Sequence, residues 1–315
     1  MIEFNSMKYS TDNPFPKTFE EFLDWFPSEE ACYRYLSWIR WGATPHCPKC
    51  QSSRVWLLAS GKYNCECGKQ WSVTAGTVFA DSHKPLRLWF HIMWLLMAQK
   101  TGVSAKNFYE TYGFGSYQTT WAWFQKLRSV MVRANREKLN GRIELDGTYV
   151  GGQAEGTRGR GAEKKTLVLV GVEGFPNKKL GRVRFLIVPS ESSESIATFV
   201  REYVSPEATV VSDGLSAYGV VSGLVAHHEV KVQSDKSANE SELEHVHLVV
   251  SLLKRWLGGT HQGAVTPGHL SGYLDEFAFR FNRRLSAHRG KLFYRLMQQA
   301  VAATSPKTKD LYVHR

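Results

Sequence analysis

The chain has no run of about 18 apolar residues, the length a helix needs to cross a bilayer. Its longest candidate, Leu86 to Ala98, is interrupted by Arg87 and His91. The opening residues MIEFNSMKYSTDNPFPK lack the basic-then-apolar order of a secretion signal. No membrane partner is therefore expected, and a soluble, cytoplasmic location is. Five cysteines in 315 residues are too few for a disulfide-stapled scaffold. Internal repeats are absent, which excludes a solenoid. Carboxylates are scarce: 29 Asp+Glu stand against 40 Lys+Arg, a net charge of +11, so an anionic partner is expected. Tryptophan almost disappears after residue 124, since nine of the ten precede it. The 43% hydrophobic content suffices for real cores and excludes wholesale disorder.

The charge is uneven. Acidic residues outnumber basic ones 7 to 4 up to His46, whereas basic residues lead 13 to 4 from Cys47 to Gly141. A basic, aromatic-rich first half and a more neutral second half suggest different tasks. Helical spacing covers Thr18 to Trp41, with Thr18 and Glu21 as a capping box and a second start at Ser28. Cys47 to Val78 is turn-rich. Pro85–Met97, Ser104–Tyr112 and Ser116–Ala134 read as three helices. Beyond Gly141 come strands (IELDGTYVGG, KTLVLVGVEG, GRVRFLIVPS), a helix over Ser193–Val204, and strands TVVSDG and AHHEVKV. Helices over Leu243–Trp256 and Leu270–Arg284 follow. The stretches 151–165 and 234–242 and the tail 304–315 read as loose. The expected domains are a helical segment 1–46, a metal ribbon 47–80, a three-helix module 81–140, a catalytic α/β domain 141–303 and the tail.

Four cysteines stand as Cys47-x2-Cys50-x14-Cys65-x-Cys67. Two close pairs on two knuckles suit a tetrahedral, all-sulfur zinc site with a structural role, since four thiolates leave no open position. The other reading is two disulfides or unrelated thiols. Pro48 and Gly68 fit knuckle turns, and Cys32 is expected in a helix core. Lys49, Arg54, Lys62 and Lys69 face only Glu66 in this segment. They are candidates for phosphate contact. Trp56, Tyr63 and Trp71 are read as ribbon core rather than as base-stacking platforms.

The three helices that follow resemble a helix-turn-helix, with Leu86, Phe90, Met93, Phe108, Trp121, Phe124, Leu127 and Met131 as the buried stripe. In that docking Tyr117, Gln118, Thr119 and Thr120 face base edges, and Lys126 and Arg128 lie nearer phosphates. A plain helical connector is the alternative.

Two aspartates stand out in the second half. Asp146 interrupts an apolar strand, where a charge is costly without partners or a metal. Asp213 ends another strand 67 residues later. Such a pair suits Mg²⁺ or Mn²⁺, and two ions ~3.5–4 Å apart suit phosphoryl transfer. The order of three strands, helix, strand, helix, strand, helix matches an RNase H-like fold with a mixed sheet. A third ligand is sought on the helix SELEHVHLVVSLLKRWL. His247 lies 34 positions after Asp213, and Lys254 seven further on shares its stripe. Glu244 and Glu240 are rivals for the third position.

Taken together, CPKC…CECGKQWSVTAGTVF, IELDGTYVGG, VVSDG and SLLKRWLGGTHQGAVTPGHLSGYLDEFAFRFNRR resemble bacterial insertion-sequence transposases of the DDE superfamily, in the group with an N-terminal zinc ribbon and an ISXO-type catalytic domain. The resemblance covers about residues 17 to 300. It implies binding of double-stranded DNA, both element ends and target, and metal-dependent strand cleavage and joining. It also implies a homo-oligomer in the synaptic complex and association with the nucleoid. The triad positions map onto Asp146 and Asp213, and the following lysine onto Lys254. His247 departs from the usual Glu. Neutral imidazole suits Mn²⁺ better than Mg²⁺. Arg255, Arg280, Arg283 and Arg284 are candidates for phosphate contacts, and His261 for a loop residue with neither role. Two further readings stand beside this one: a repurposed transposase acting as a sequence-specific DNA-binding protein, and a nuclease that cuts without joining.

Overall fold

The computed structural model describes residues 8–133, 136–151, 165–175, 179–231, 243–263, 265–303 and 311. The chain divides into two compact units, Met1–Arg133 with Leu285–Val313, and Ala134–Arg284 with the last two residues.

In the first unit, α1 (Phe19–Trp25) and α2 (Glu29–Trp41) start at the N-caps Thr18 and Ser28, as the capping pattern predicts. Strands β1 (Val55–Leu57), β2 (Lys62–Cys65) and β3 (Gln70–Ser72) form a small antiparallel sheet. Helices α3 (Leu86–Ala98), α4 (Ala105–Tyr112) and α5 (Tyr117–Ser129) follow. Ser104 and Ser116 cap α4 and α5, and Gly113 ends α4 in the left-handed conformation that glycine adopts at little cost. The start of α3 has no side-chain cap of its own. Glu29 supplies one, its carboxylate accepting the N–H groups of Leu86 (2.6 Å) and Arg87 (2.9 Å).

The sequence reading does not anticipate α9 (Gly290–Ala302), which lies inside the expected 141–303 domain yet belongs to the first unit. Its Phe293 packs among Phe22, Phe26, Tyr35, Phe90 and Trp94. Trp123, stacked on Trp89 at 3.6 Å, takes the core place expected of Trp121, which is only half-buried.

The second unit is a five-stranded sheet in the order β6-β5-β4-β7-β8. Its strands are β4 (Arg142–Val150), β5 (Thr166–Phe175), β6 (Lys179–Val188), β7 (Thr209–Asp213) and β8 (His227–Lys231). The first three pair antiparallel, and β4–β7 and β7–β8 are parallel. This is the mixed sheet of an RNase H-like fold. Helix α6 (Ser193–Tyr203) and the 3₁₀ turn Ser216–Gly223 cover one face, while α7 (Glu244–Thr260) and α8 (Leu270–Phe281) cover the other.

Because both faces are covered, the central strands read as continuous apolar runs, and successive residues serve opposite cores. Leu167 and Leu169 pack with Ile196, Phe199 and Tyr218, whereas Val168, Val170 and Val172 pack with Val246, Val249 and Leu253. Among the described residues no helix is long and apolar enough to cross a membrane. The loose stretches fall largely at 152–164 and 232–242, outside the described residues, as do Ala134, Glu240 and most of the tail.

Candidate functional site

Strand alternation places Asp146. On β4, Ile143 and Leu145 belong to the α6-side core, and Val150 belongs to the α7-side core. Asp146 shares the parity of Val150 and therefore faces α7. On β7, Val210 serves the α6 side and Val211 the α7 side, so Asp213 also faces α7. The β4–β7 register pairs Arg142 with Thr209 and Glu144 with Val211, where the ladder ends. Continued by two residues, the same register sets Asp146 opposite Asp213. The two carboxylates thus flank the point where the central strands part. Asp146 Oδ1 accepts the Gly147 N–H (2.8 Å), and Asp213 Oδ1 accepts the Leu215 N–H (3.0 Å).

The third element is α7. Its first residues carry no side-chain cap. Glu144, two residues before Asp146 and only 5% exposed, caps the helix from the sheet. One of its oxygens accepts the Val246 N–H (2.9 Å), and the other pairs with His245 Nδ1 (2.5 Å). The strand that bears Asp146 therefore also holds the helix that bears His247. His247 Nε2 lies 3.4 Å from Asp146 Oδ2, and that contact raises the imidazole pKa against the opposing effect of burial. Lys254 lies two turns further along. Burial lowers its pKa, Lys165 adds to this, and Asp146 opposes it. Glu244 is the first residue of α7.

Carboxylate oxygens joined by one imidazole nitrogen suit a hard or borderline divalent cation. Two more residues adjoin this place that the sequence reading does not single out. Glu191, in the link between β6 and α6, lies against Gly147, and the buried Tyr218 donates its hydroxyl to Glu191 Oε1 (2.7 Å). Glu191, one of two glutamates in the polar stretch PSESSES, carries no periodic signal that could have marked it.

The cysteines form the second centre. The sulfur atoms of Cys47, Cys50, Cys65 and Cys67 all lie within 4.8 Å of one another, the one such ligand set among the described residues. Cys47–Cys67 and Cys50–Cys65 are separated by 3.7 and 3.6 Å. A disulfide needs about 2.05 Å, whereas zinc bonds of ~2.3 Å give a tetrahedral edge of about 3.8 Å. The geometry thus fits a structural zinc ion. Burial works to raise the Cys47 thiol pKa, but backbone N–H groups of Cys50 and Lys49 outweigh it and bring the value down to about 7. The knuckle after Cys67 turns at Gly68, φ +77°. Tyr63 and Trp71 stack at 5.5 Å, Tyr63 meets Trp41 of α2, and its hydroxyl bonds Ser37 (2.7 Å). They are core, as expected, while Trp56 is 47% exposed. Cys32 is buried in α2.

The DNA-contact candidates separate by burial. Tyr117, Gln118 and Thr119 lie exposed on the first turn of α5. Thr120 does not join them: it is fully buried and its hydroxyl donates to the Ser116 carbonyl (3.2 Å). Arg128, 1% exposed, lies over the Phe124 ring and not toward solvent. Lys126 is half-buried near Asp81, and Arg255 is exposed on α7. Arg283 stacks on Phe279 at 3.9 Å and donates to its carbonyl. Arg284 lies over Phe281 and donates to the carbonyls of Gly181, Leu180 and Phe281. Both arginines finish α8, and Arg284 also ties it to β6, so structural work accounts for them. Arg280 lies near Glu276 and Trp256, and His261 packs between Trp256 and Tyr273.

Comparison with known proteins agrees with this architecture. Residues 138–282 match the ISXO2-like transposase domain, and residues 27–70 match a transposase zinc-ribbon domain. An uncharacterized protein in the transposable element ISH50 of Halobacterium salinarum is 26% identical over 283 residues, covering 81% of this chain and 91% of that protein. Among solved structures, a chain of the simian T-cell lymphotropic virus intasome in complex with the PP2A regulatory subunit B56 gamma overlaps 52% of this chain and 58% of its own length. The identity there is 14% and the TM-score 0.27, too low to bear on function.

Proposed function

We propose that the protein is an ISXO2-like insertion-sequence transposase that cuts and joins DNA at the ends of its element, a reading supported by a transposase zinc ribbon and an ISXO2-like transposase domain in one chain. The observation that supports the reading is the β4–β7 register, which ends at Glu144↔Val211, two residues before Asp146 on one strand and Asp213 on the other, with His247 Nε2 3.4 Å from Asp146. Asp146 and Asp213 would hold a divalent cation through their carboxylate oxygens, and His247 would offer Nε2. Bound there, Mg²⁺ or Mn²⁺ supplies charge stabilisation to an in-line phosphodiester displacement. In the first displacement water attacks phosphorus and the 3′-oxygen leaves as a hydroxyl. In the second, that 3′-hydroxyl attacks a target phosphodiester, so one P–O bond forms as another breaks. Lys254 and Arg255 stand on α7 to contact phosphate oxygens.

Tyr117, Gln118 and Thr119 read base edges in the major groove from the first turn of α5. The ribbon lysines, Lys49, Lys62 and Lys69, add contacts to the backbone. Zinc in the four-cysteine cluster holds the ribbon. Two copies acting on two ends form the synaptic complex.

The test is a strand-transfer assay with labelled duplex bearing the element's terminal repeat and a supercoiled target, in Mg²⁺ and in Mn²⁺. Cleavage and joined product, both lost in Asp146→Asn and Asp213→Asn, are expected. Sequence-specific binding with neither product would favour a repurposed DNA-binding protein, and hydrolysis alone would remove the joining step.

A further inference from the structure

We infer that Glu191 is a third carboxylate ligand of the ions held by Asp146 and Asp213, an inference that rests on the reading of the site given above. Glu191 reaches the site from the opposite side of the sheet. It stands just before Ser192, the N-cap of α6, so its backbone is fixed by the start of that helix. Its carboxylate lies directly on Gly147, the neighbour of Asp146. A Cβ at Gly147 would stand 2.3 Å from Oε1, 2.6 Å from Cδ and 2.9 Å from Oε2. A hydrogen in place of a side chain is therefore what admits Glu191. The fully buried Tyr218 donates to Oε1 at 2.7 Å, which anchors the group and leaves Oε2 with its lone pairs available.

The topology explains how groups on opposite faces converge. The β4–β7 ladder stops at Glu144↔Val211, two residues short of Asp146, so the sheet is open between the strands at this level. Asp146 and Asp213 approach the opening from the α7 side and Glu191 from the α6 side. The acidic groups do not meet the 4.8 Å spacing of the cysteine cluster. Ligands shared between two ions ~3.5–4 Å apart are spread in this way.

Charge makes the assignment useful. His247 occupies the position where the resemblance leads one to expect glutamate, so Asp146 and Asp213 alone would set two negative charges against two divalent cations. Glu191 restores the third charge from a different element.

The experiment is a Mn²⁺ titration of the zinc-loaded full-length protein, with free Mn²⁺ read by electron paramagnetic resonance. Glu191→Gln is expected to weaken Mn²⁺ binding at this site tenfold or more, since even outer-shell partners of a metal site are worth 10–100-fold. Gly147→Ala, which displaces the carboxylate without altering it, is expected to do the same. Asp146→Asn and Asp213→Asn provide the comparison. Weakened binding in the aspartate variants with wild-type affinity in Glu191→Gln overturns the role of Glu191 and leaves the site itself standing. Wild-type affinity in all of them overturns the ion site. Iron-generated hydroxyl-radical cleavage of the unaltered protein gives a second reading that needs no variant. Cuts are expected near residue 191 as well as near 146 and 213, and their absence near 191 overturns the inference.

Discussion

His247 sets the pH behaviour of the proposed ion site. Asp146 raises its pKa, so the imidazole holds its proton to a higher pH than an ordinary histidine, about 6.5. A protonated Nε2 cannot bind a cation. Mn²⁺ affinity should therefore fall as pH drops through a value above ~6.5, and His247→Glu should move that fall into the carboxylate range. The same substitution should raise Mg²⁺-supported strand transfer relative to Mn²⁺-supported transfer, measured at subsaturating metal. A second residue carries a stability prediction. Burial works against the ionised form of Glu173, but Arg182 and the N–H groups of Asn140 and Arg182 overcome it and depress its pKa. Its stabilisation is complete above the ordinary carboxylate pKa and is lost as pH falls through the depressed value. Glu173→Gln should cost about 2–3 kcal/mol at pH 7, because Arg182 is partly open to solvent, with the difference shrinking in acid. Denaturant melts at pH 7 and pH 3 check this. Asp146 and Asp213 stand out in the sequence because a charge inside or at the end of an apolar strand needs a reason. Thr120 and Arg128 were misjudged because residue type says nothing about which way a helix faces its neighbours.

Among the elements, α7 depends on its anchor. Its N-terminal N–H groups have no cap within the helix, and Glu144 on β4 supplies one. Glu144→Ala should lower stability by about 1–3 kcal/mol. It should also weaken Mn²⁺ binding without touching an ion, because His247 loses its register against Asp146. A paired measurement of melting and Mn²⁺ affinity tests both. On α5, Gln118→Ala should cost about 1–3 kcal/mol against the preferred repeat and little against random DNA. Competition binding at fixed salt measures the difference. The helices of the first unit were readable in advance, since Thr18, Ser28, Ser104 and Ser116 announce their starts. Helix α9 was missed for the converse reason, having no side-chain cap at its start. Its apolar positions Leu292, Phe293, Leu296, Met297 and Ala300 did carry helical spacing. The capping role of Glu144 and the approach of Glu191 to Gly147 arise from tertiary packing. No pattern within either segment encodes them.

For the molecule as a whole, the excess of positive charge is a statement about salt. Basic residues exceed acidic ones 13 to 4 between Cys47 and Gly141, and 8 to 2 between Lys254 and Arg295. DNA affinity should fall steeply with salt, with the logarithm of the constant linear in the logarithm of concentration. Neutralising Lys49, Lys62 and Lys69 together should flatten that slope, whereas neutralising Arg283 and Arg284 should alter stability before it alters the slope. Removing zinc with a chelator should release the Tyr63–Trp71 stack from Trp41, read as a change in tryptophan emission, and abolish repeat binding.

Helix α9 has a consequence for the order of synthesis. Phe293 fills the centre of a core otherwise built from residues 22 to 94, and the Val78 N–H bonds the Ala300 carbonyl. The unit that carries the ribbon and α5 is thus closed by residues that are translated after the whole of the second unit. A ribosome must finish the second unit before the first can fold to completion. Nascent chains stalled at residue 284 should leave the first unit open to protease, and adding a peptide of residues 285–303 in trans should protect it. If the first unit makes the DNA contacts proposed above, a prematurely ended chain would be denied its grip on DNA and could not occupy element ends that it is unable to cut.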